Sequence, residues 1–371
     1  MKNHLVSLAI VSMVLATSAF ADNYKIIIDA GSTGSRLHLF QYQAEEKGVP
    51  VIKDIFSENV KPGLSSYKDK PKEAGNGLKI LLNHVAEQLH NKQINPHDIE
   101  VNVLATAGMR LLDPAVQKQI YDNVKETVAA DFKVGRVETI PGKEEALYGW
   151  LDINYLAKNF QNHTPTMGSI DMGGASTQIA FVTQETNKAD DILSVTLDGV
   201  KYNVFGKSFL GLGQDQARDK INLQKEAGSC YPTGYSSSVI GEFNFATCGS
   251  LFADLIEKNH VSEQILPLGK QTFYAFSGAY YTYKFLEADQ TPDQADVEKR
   301  ILSICSKSWD QLTRDYPTEK YLSTYCANAI YMGKLFYNTY QIGNAQLSVV
   351  GKVNGQDIDW TMGAMLYSLV Q

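Results

Sequence analysis

The run Ile26-Ile27-Ile28-Asp29-Ala30-Gly31-Ser32-Thr33-Gly34-Ser35-Arg36-Leu37-His38-Leu39-Phe40 carries residue types that could handle phosphate. It reads as a buried strand, a tight turn of small residues and a second strand. Glycines at 31 and 34 permit positive φ and leave out Cβ atoms, so the turn's backbone N–H groups can converge on an anion, helped by the hydroxyls of Ser32, Thr33 and Ser35. Asp29 at the strand end would repel a bare phosphate, which argues for a divalent cation between carboxylate and phosphates. Alone, a glycine-rich turn is a weak signal, because a solvated hairpin with a capping aspartate reads the same way.

The device recurs. Ser169-Ile170-Asp171-Met172-Gly173-Gly174-Ala175-Ser176-Thr177-Gln178-Ile179-Ala180-Phe181 repeats the order of apolar strand, aspartate, small-residue turn and apolar strand. Laying Asp29 on Asp171 puts Gly31 on Gly173, Ser35 on Thr177, Leu37 on Ile179 and Leu39 on Phe181. The repeat distance is too long for a solenoid and suits two domains of one ancestral fold. Two such hairpins facing each other across a cleft could hold a polyphosphate from both sides, with both aspartates turned towards one metal.

Periodicity shows which elements position these turns. Residues 49–60 read as a further strand pair, and 72–90 as an amphipathic helix with Ala74, Leu78, Leu81, Leu82, Val85 and Leu89 on one face. The strand Val101 to Leu104 delivers Ala105-Thr106-Ala107-Gly108-Met109-Arg110 to a sheet's carboxyl edge, where ligands bind in α/β domains. Thr106 could there hold a metal-bound water, and Arg110 is either a phosphate ligand or a surface ion-pair residue. A helix over 115–130, a strand over 134–140 and a helix beginning Gly142-Lys143-Glu144-Glu145 follow. Glu144 and Glu145 could complement the helix dipole, or one could be a general base for water. Set about 100° apart on the helix, only one is expected to face a cleft.

Further on, 194–205 reads as a hairpin around Asp198-Gly199, 214–223 as a helix, and 228–249 as loop-like. Residues 273–286 read as an aromatic helix, from which a ring could stack on a nucleobase, although such stripes are more often core. Residues 318–340 repeat the aromatic pattern, and 359–367 form a closing helix expected to return to the first domain.

Composition narrows the class. A 371-residue chain exceeds what one core usually fills, so two domains are expected. With a net charge of −7 and no Lys/Arg block, a nucleic-acid surface is excluded, and a phosphate site must rely on backbone amides, a metal and a few arginines. Leu5 to Ala16 is apolar and Ala19-Phe20-Ala21 offers small residues at the cleavage positions, so a signal peptide over 1–21, cut after Ala21, is expected. The run is too short for a permanent membrane span. Export makes disulfides expected among Cys230, Cys248, Cys305 and Cys326; three pairings are possible, and sequence proximity favours 230–248 and 305–326. No CxxC spacing supports zinc, and the seven histidines are scattered without an HExxH, so none is assigned a catalytic role.

Taken together, DAGSTGSR (29–36), ATAGMR (105–110), GKEEALYGW (142–150), DMGGASTQ (171–178) and WTMG (360–363) resemble the apyrase family of nucleoside triphosphate diphosphohydrolases, the ecto-NTPDases, in their motif order. SFLGLGQ (208–214), FYAFSGAYY (273–281) and YC (325–326) extend the likeness over nearly the whole mature chain, which looks like the compact, exported bacterial form. The resemblance implies an α/β fold of two RNase H-like lobes, as in actin, sugar kinases and heat-shock ATPases. Lobe I would span 22–141, joined by the C-terminal helix 356–371, and lobe II 142–355. It implies Glu145 as catalytic base, with Ser176 and Gln178 orienting the attacking water. Asp29 and Asp171 would hold Ca2+ or Mg2+ through its waters, with Thr106 nearby. Ser32, Thr33, Gly34, Ser35, Arg36, Gly173, Gly174 and Ala175 would cradle phosphates, and Tyr281 and Tyr321 would sandwich the base. The pair 305/326 resembles the family's disulfide near the YC motif.

The implied function is hydrolysis of nucleoside tri- and diphosphates by a secreted or periplasmic monomer, without nucleic-acid partners. An exopolyphosphatase or guanosine-pentaphosphate phosphatase has similar Asp-Gly-Ser and Asp-Gly-Gly loops and a similar Glu-Glu helix. Export, the ATAGMR wording and the paired tyrosines weigh against it. A nucleotide-dependent binding module of chaperone type would need a peptide-binding domain for which no length remains.

Overall fold

Residues 23–43 and 48–371 are described in the computed structural model, and the leader expected over 1–21 lies outside them. The isoleucine-rich strand β1 (Asn23–Ala30) turns into β2 (Ser35–Gln43), and β3 (Val51–Val60) adds antiparallel to β2. Instead of the strand pair expected over 49–60 there is one long strand. No glycine or proline interrupts Val51 to Val60, and the run stays paired with β2 through a bulge at Leu39/Phe40. After helix α1 (Gly75–Asn91), strand β4 (Glu100–Ala105) joins parallel to β1; the short α2 (Ala107–Arg110) and α3 (Pro114–Ala129) lead to β5 (Lys133–Thr139), parallel to β4. The order is β3-β2-β1-β4-β5.

A second sheet follows the same plan. Beyond α4 (Gly142–Leu156), strands β6 (Gly168–Met172), β7 (Ser176–Val182), β8 (Ile192–Leu197), β9 (Val200–Leu210), β10 (Phe273–Ser277) and β11 (Leu347–Val349) pair in the order β11-β10-β6-β7-β9-β8. Here β6, β7 and β9 are antiparallel like β1, β2 and β3, while β10 and β11 run parallel to β6 as β4 and β5 do to β1; β8 is an addition. The hairpins share their register: Asp29 faces Arg36, and Asp171 faces Gln178.

The remaining helices are α5 (Gln214–Asn222), α6 (Phe245–Lys258), α7 (Val261–Gln264), α8 (Gly278–Phe285), α9 (Gln294–Cys305), α10 (Trp309–Asp315), α11 (Leu322–Gly333) and α12 (Trp360–Val370). Two sequence expectations need correction. The stretch 273–286 is a five-residue strand followed by a helix, because Ser277 takes a φ of 58° that no helix or strand can continue. The loop-like 228–249 gives way to α6 at Phe245, where the Asn244 side chain accepts from the Thr247 N–H as an N-cap. Disulfides join the sequence neighbours, Cys230 to Cys248 and Cys305 to Cys326.

Alternation along β1 sends Ile26, Ile28 and Ala30 to a core beneath α1 and α3, and Ile27 to a different core lying between the sheets. That middle core is built on α4 and α12, which are buried almost all round, α4 taking Glu145, Asp152 and Asn154 inside with its apolar residues. Their approach is close enough to require glycine: a Cβ at Gly363 would stand 1.8 Å from the Tyr148 carbonyl oxygen. The terminal helix thus packs on α4 and also reaches β1, β3 and β8, touching both lobes. Among the described residues no helix is long and apolar enough to cross a membrane.

Candidate active site

Asp29 lies on the Ile27 face of β1, and Asp171 on the face of β6 opposite Ile170 and Met172, so both carboxylates point into the space between the lobes. The turns nearly touch there, since a Cβ at Gly174 would stand 3.4 Å from Ser32 Oγ. Burial pushes the Asp29 carboxyl well up, and the charges of Asp359 and Glu145 add to it against the pull of Arg36 and His38. Burial likewise raises Asp171 to about 7, opposed by the Ser277 hydroxyl and reinforced by Glu145 and Asp359. Four carboxylates therefore share one poorly solvated room.

These residues fit a divalent cation. Asp29 Oδ1 and Asp171 Oδ1 are both buried without a hydrogen-bond partner, which is costly for an acid unless something positive meets it. Among the described residues no three His, Cys, Asp or Glu side chains gather closely enough to cage a bare ion.

Beside the aspartates runs a chain of hydrogen bonds. Glu145, in the first turn of α4, pairs with Arg110 NH2, and Arg110 also donates from Nε to the Ile140 carbonyl (3.0 Å) and from NH1 to Ser208 Oγ (3.4 Å). Gln178 Nε2 donates to Ser208 Oγ (3.0 Å) and to Ser176 Oγ (2.6 Å). Ser208 can bridge them because it is the cross-strand neighbour of Gln178 in the β7–β9 ladder. Burial raises Glu145, an effect Arg110 opposes. Glu144 turns away, pairing with Arg136 (3.2 Å) and accepting from Tyr148 (3.1 Å). Arg110 is thus an ion-pair partner inside the site, a third possibility beside the two read from sequence.

Segment 211–216 backs the second turn. The N–H groups of Gly211, Gln214, Asp215 and Gln216 bond the carbonyls of Ala175, Gly173 and Gly174, and a Cβ at Gly213 would stand 2.5 Å from the Gly174 carbonyl. In a trans peptide the next residue's N–H points opposite to the C=O, so the donors of Gly174, Ala175 and Ser176 face away from that support. Thr106, buried at the end of β4, donates its N–H to the Ala30 carbonyl (3.3 Å), which seats it beside the first hairpin. Arg36 is half-exposed and its NH1 donates to Asp359 Oδ2 (2.9 Å). Tyr281 and Tyr321 are 62% and 50% exposed, with Tyr280 packed edge-on against Tyr281 and Lys320 Nζ 5.5 Å over the Tyr321 ring. The Tyr325 phenol feels both rings, and Arg36 feels Tyr281.

Sequence reading missed Ser208, Ser277, His38 and Asp359. Asp359 does carry a local signal, an aspartate before an apolar helix, and it caps α12 by accepting from the Thr361 N–H. Ser277 lay hidden in the run read as helix. A groove of about 810 Å³ lined by His163, Pro165, Tyr202, Pro267 and Lys270 lies at the other end of the second sheet, where β6 and β10 begin.

Fold and site together define a two-lobed α/β protein in which twin aspartate hairpins face each other between the lobes. Solved structures share this architecture. Nucleoside triphosphate hydrolases from Neospora caninum align with a TM-score of 0.69 at 14% identity, covering 94% of this chain and 93% of theirs. A Ppx/GppA family member from Aquifex aeolicus aligns at 0.59 with 15% identity, over 94% of this chain and 98% of its own. In sequence, the chain is 28% identical to probable apyrase 3 of Arabidopsis thaliana over 94% of its length and 82% of that protein's. It is 29% identical to ectonucleoside triphosphate diphosphohydrolase 1 of Mus musculus, over 92% and 80%. The chain belongs to the GDA1/CD39 (nucleoside phosphatase) family, whose profile matches residues 16–371.

Proposed function

We propose that the cleft removes terminal phosphates from nucleoside tri- and diphosphates by direct attack of water. The observation that carries this reading is the pair of buried aspartates with orphaned oxygens, set in the same register on two facing hairpins beside the Glu145-to-Gln178 chain. Asp29 and Asp171 would hold Ca2+ or Mg2+ through water, with Thr106 alongside; the ion supplies neutralisation of charge on the phosphate oxygens. Backbone donors of Gly174, Ala175 and Ser176, the turn Ser32 to Ser35 and Arg36 cradle the phosphates. Tyr281 and Tyr321 flank the base.

Ser176 and Gln178 orient a water with their remaining hydrogen-bonding capacity. Glu145 takes its proton, and burial suits the carboxyl to that task by raising it. The water oxygen bonds to the terminal phosphorus as the anhydride P–O bond breaks in line, giving orthophosphate and a nucleotide shorter by one phosphate. No covalent enzyme intermediate is required. Two disulfides support an address in an oxidising compartment, secreted or periplasmic, with the substrate met there.

The test is a time course of ATP, ADP and AMP with purified protein, set against long-chain polyphosphate. Triphosphate and diphosphate should fall while monophosphate accumulates, and Glu145→Gln should lower kcat by roughly 10² or more. Consumption of polyphosphate with nucleotides untouched, or near-normal turnover by a folded Glu145→Gln, would overturn the proposal.

A further inference from the structure

Arg36 stands opposite Asp29 on the first hairpin and is half-exposed, and an exposed arginine loses rotamer entropy each time it is fixed on a ligand. Here that freedom is removed beforehand. Its NH1 donates to Asp359 Oδ2 at 2.9 Å. The same oxygen lies 3.3 Å from His38 Nε2, while Oδ1 accepts the Thr361 N–H at 2.9 Å. The Asp359 backbone N–H donates to Asp152 Oδ2 at 2.9 Å, anchoring the residue to α4. Behind it, His38 Nδ1 meets Asp54 Oδ2 at 2.7 Å. Arg36 and His38 are two apart on β2 and share the face of Asp29, so one strand presents both cations to one carboxylate brought from the far end of the chain.

We propose that Asp359 is a positioning residue for the reaction: it aims Arg36 at the phosphates, and His38, backed by Asp54, holds Asp359 in place. The need for this arrangement is electrostatic. A lone carboxylate this close to Asp29 and the phosphates would repel both, whereas one already satisfied by two cations and a helix N-terminus costs little there. Arg36 has five N–H donors, of which the pair with Asp359 uses one guanidinium nitrogen, leaving Nε and NH2 for phosphate oxygens. Prefixing the side chain lowers the ordering cost of binding, so the effect belongs in affinity more than in the chemical step. The inference rests on the phosphate-binding reading of Arg36 given above.

A double-mutant cycle on the full chain tests it, using Asp359→Asn, Arg36→Gln and the pair. Asparagine caps a helix as well as aspartate does, so α12 keeps its start while the ion pair is lost. Two readouts are taken with divalent cation present: KM and kcat for ATP, and the Kd of inorganic pyrophosphate by calorimetry. Asp359→Asn should raise KM and Kd about tenfold, kcat changing far less, and should add nothing once Arg36 is glutamine. His38→Gln, which loosens the carboxylate from its other side and leaves the cap untouched, should weaken binding in the same direction by a smaller factor, again only while Arg36 is present. Equal losses in both backgrounds, or unchanged KM and Kd in Asp359→Asn and His38→Gln, would overturn the role. A wild-type protein that binds pyrophosphate but leaves ATP intact would instead reject the nucleotide hydrolysis, and the pyrophosphate cycle would still decide the part played by Asp359.

Discussion

The two hairpins share strand order, turn length and register, yet differ at the residue facing each aspartate. Arg36 stands opposite Asp29, half-exposed and ion-paired, whereas Gln178 stands opposite Asp171, buried and hydrogen-bonded to two serines. A guanidinium there suits a hairpin that binds charge, and a neutral amide suits one that must hold an uncharged water. In the function proposed above, two hairpins of like register divide the work at this one position. The neighbouring strands diverge too: β4 ends at Ala105 and leads into buried Thr106 at a φ of −113°, while β10 ends in Ser277, held at a φ of 58° with its hydroxyl favouring the charged form of Asp171.

The sharpest way to break this comparison is to disable each half in turn. Gln178→Ala should lower kcat by about 10² with little change in KM, because it leaves the phosphate grip whole and removes one holder of the water. Arg36→Gln, which gives the first hairpin the residue of the second, should do the reverse, raising KM about tenfold with kcat much less affected. Steady-state kinetics on both variants check this, and matching losses in kcat would erase the proposed division.

Ser277 sharpens the contrast between the lobes. Glycine accepts positive φ without strain, so Ser277→Gly should raise Tm by about 1–2 °C for ~1 kcal/mol of strain relieved. Losing the hydroxyl on Asp171 should at the same time lower kcat several-fold. Calorimetry and kinetics on one sample test both, and a fall in Tm would mean the serine is there for stability.

The sequence disclosed the parts whose chemistry is local. The aspartate-turn-strand pattern, and the expectation that only one of Glu144 and Glu145 faces a cleft, follow from spacing within a few residues of each side chain, whereas the choice of Glu145 came from the family resemblance. Asp359 and His38 were opaque because their meaning is a meeting across the fold: 323 residues separate Arg36 from Asp359. The run Phe273 to Phe285 misled for another reason. Short aromatic stretches satisfy helical and strand periods alike, and the break at Ser277 comes from tertiary demand, since no glycine or proline stands at that position.

A smaller effect concerns the first hairpin's own stability. Burial pushes His38 down, but Asp359 and Asp54 outweigh it and raise it from 6.5 to about 10. Because the folded value exceeds the unfolded one, this contribution is complete below about pH 6.5 and is lost as pH rises through 10. The Tm gap between wild type and His38→Gln should therefore be widest near pH 6 and shrink towards pH 10. Melts across that range check it, and a gap independent of pH would deny the charge on His38.

The shared room between the hairpins is tested most directly by cation-induced thermal stabilisation in wild type, Asp29→Asn and Asp171→Asn without nucleotide. If one ion answers to both aspartates, Ca2+ or Mg2+ should raise the wild-type Tm, and either substitution alone should abolish most of that rise. Full stabilisation surviving in one of the two variants would show that the aspartates serve separate places, and would contradict the account.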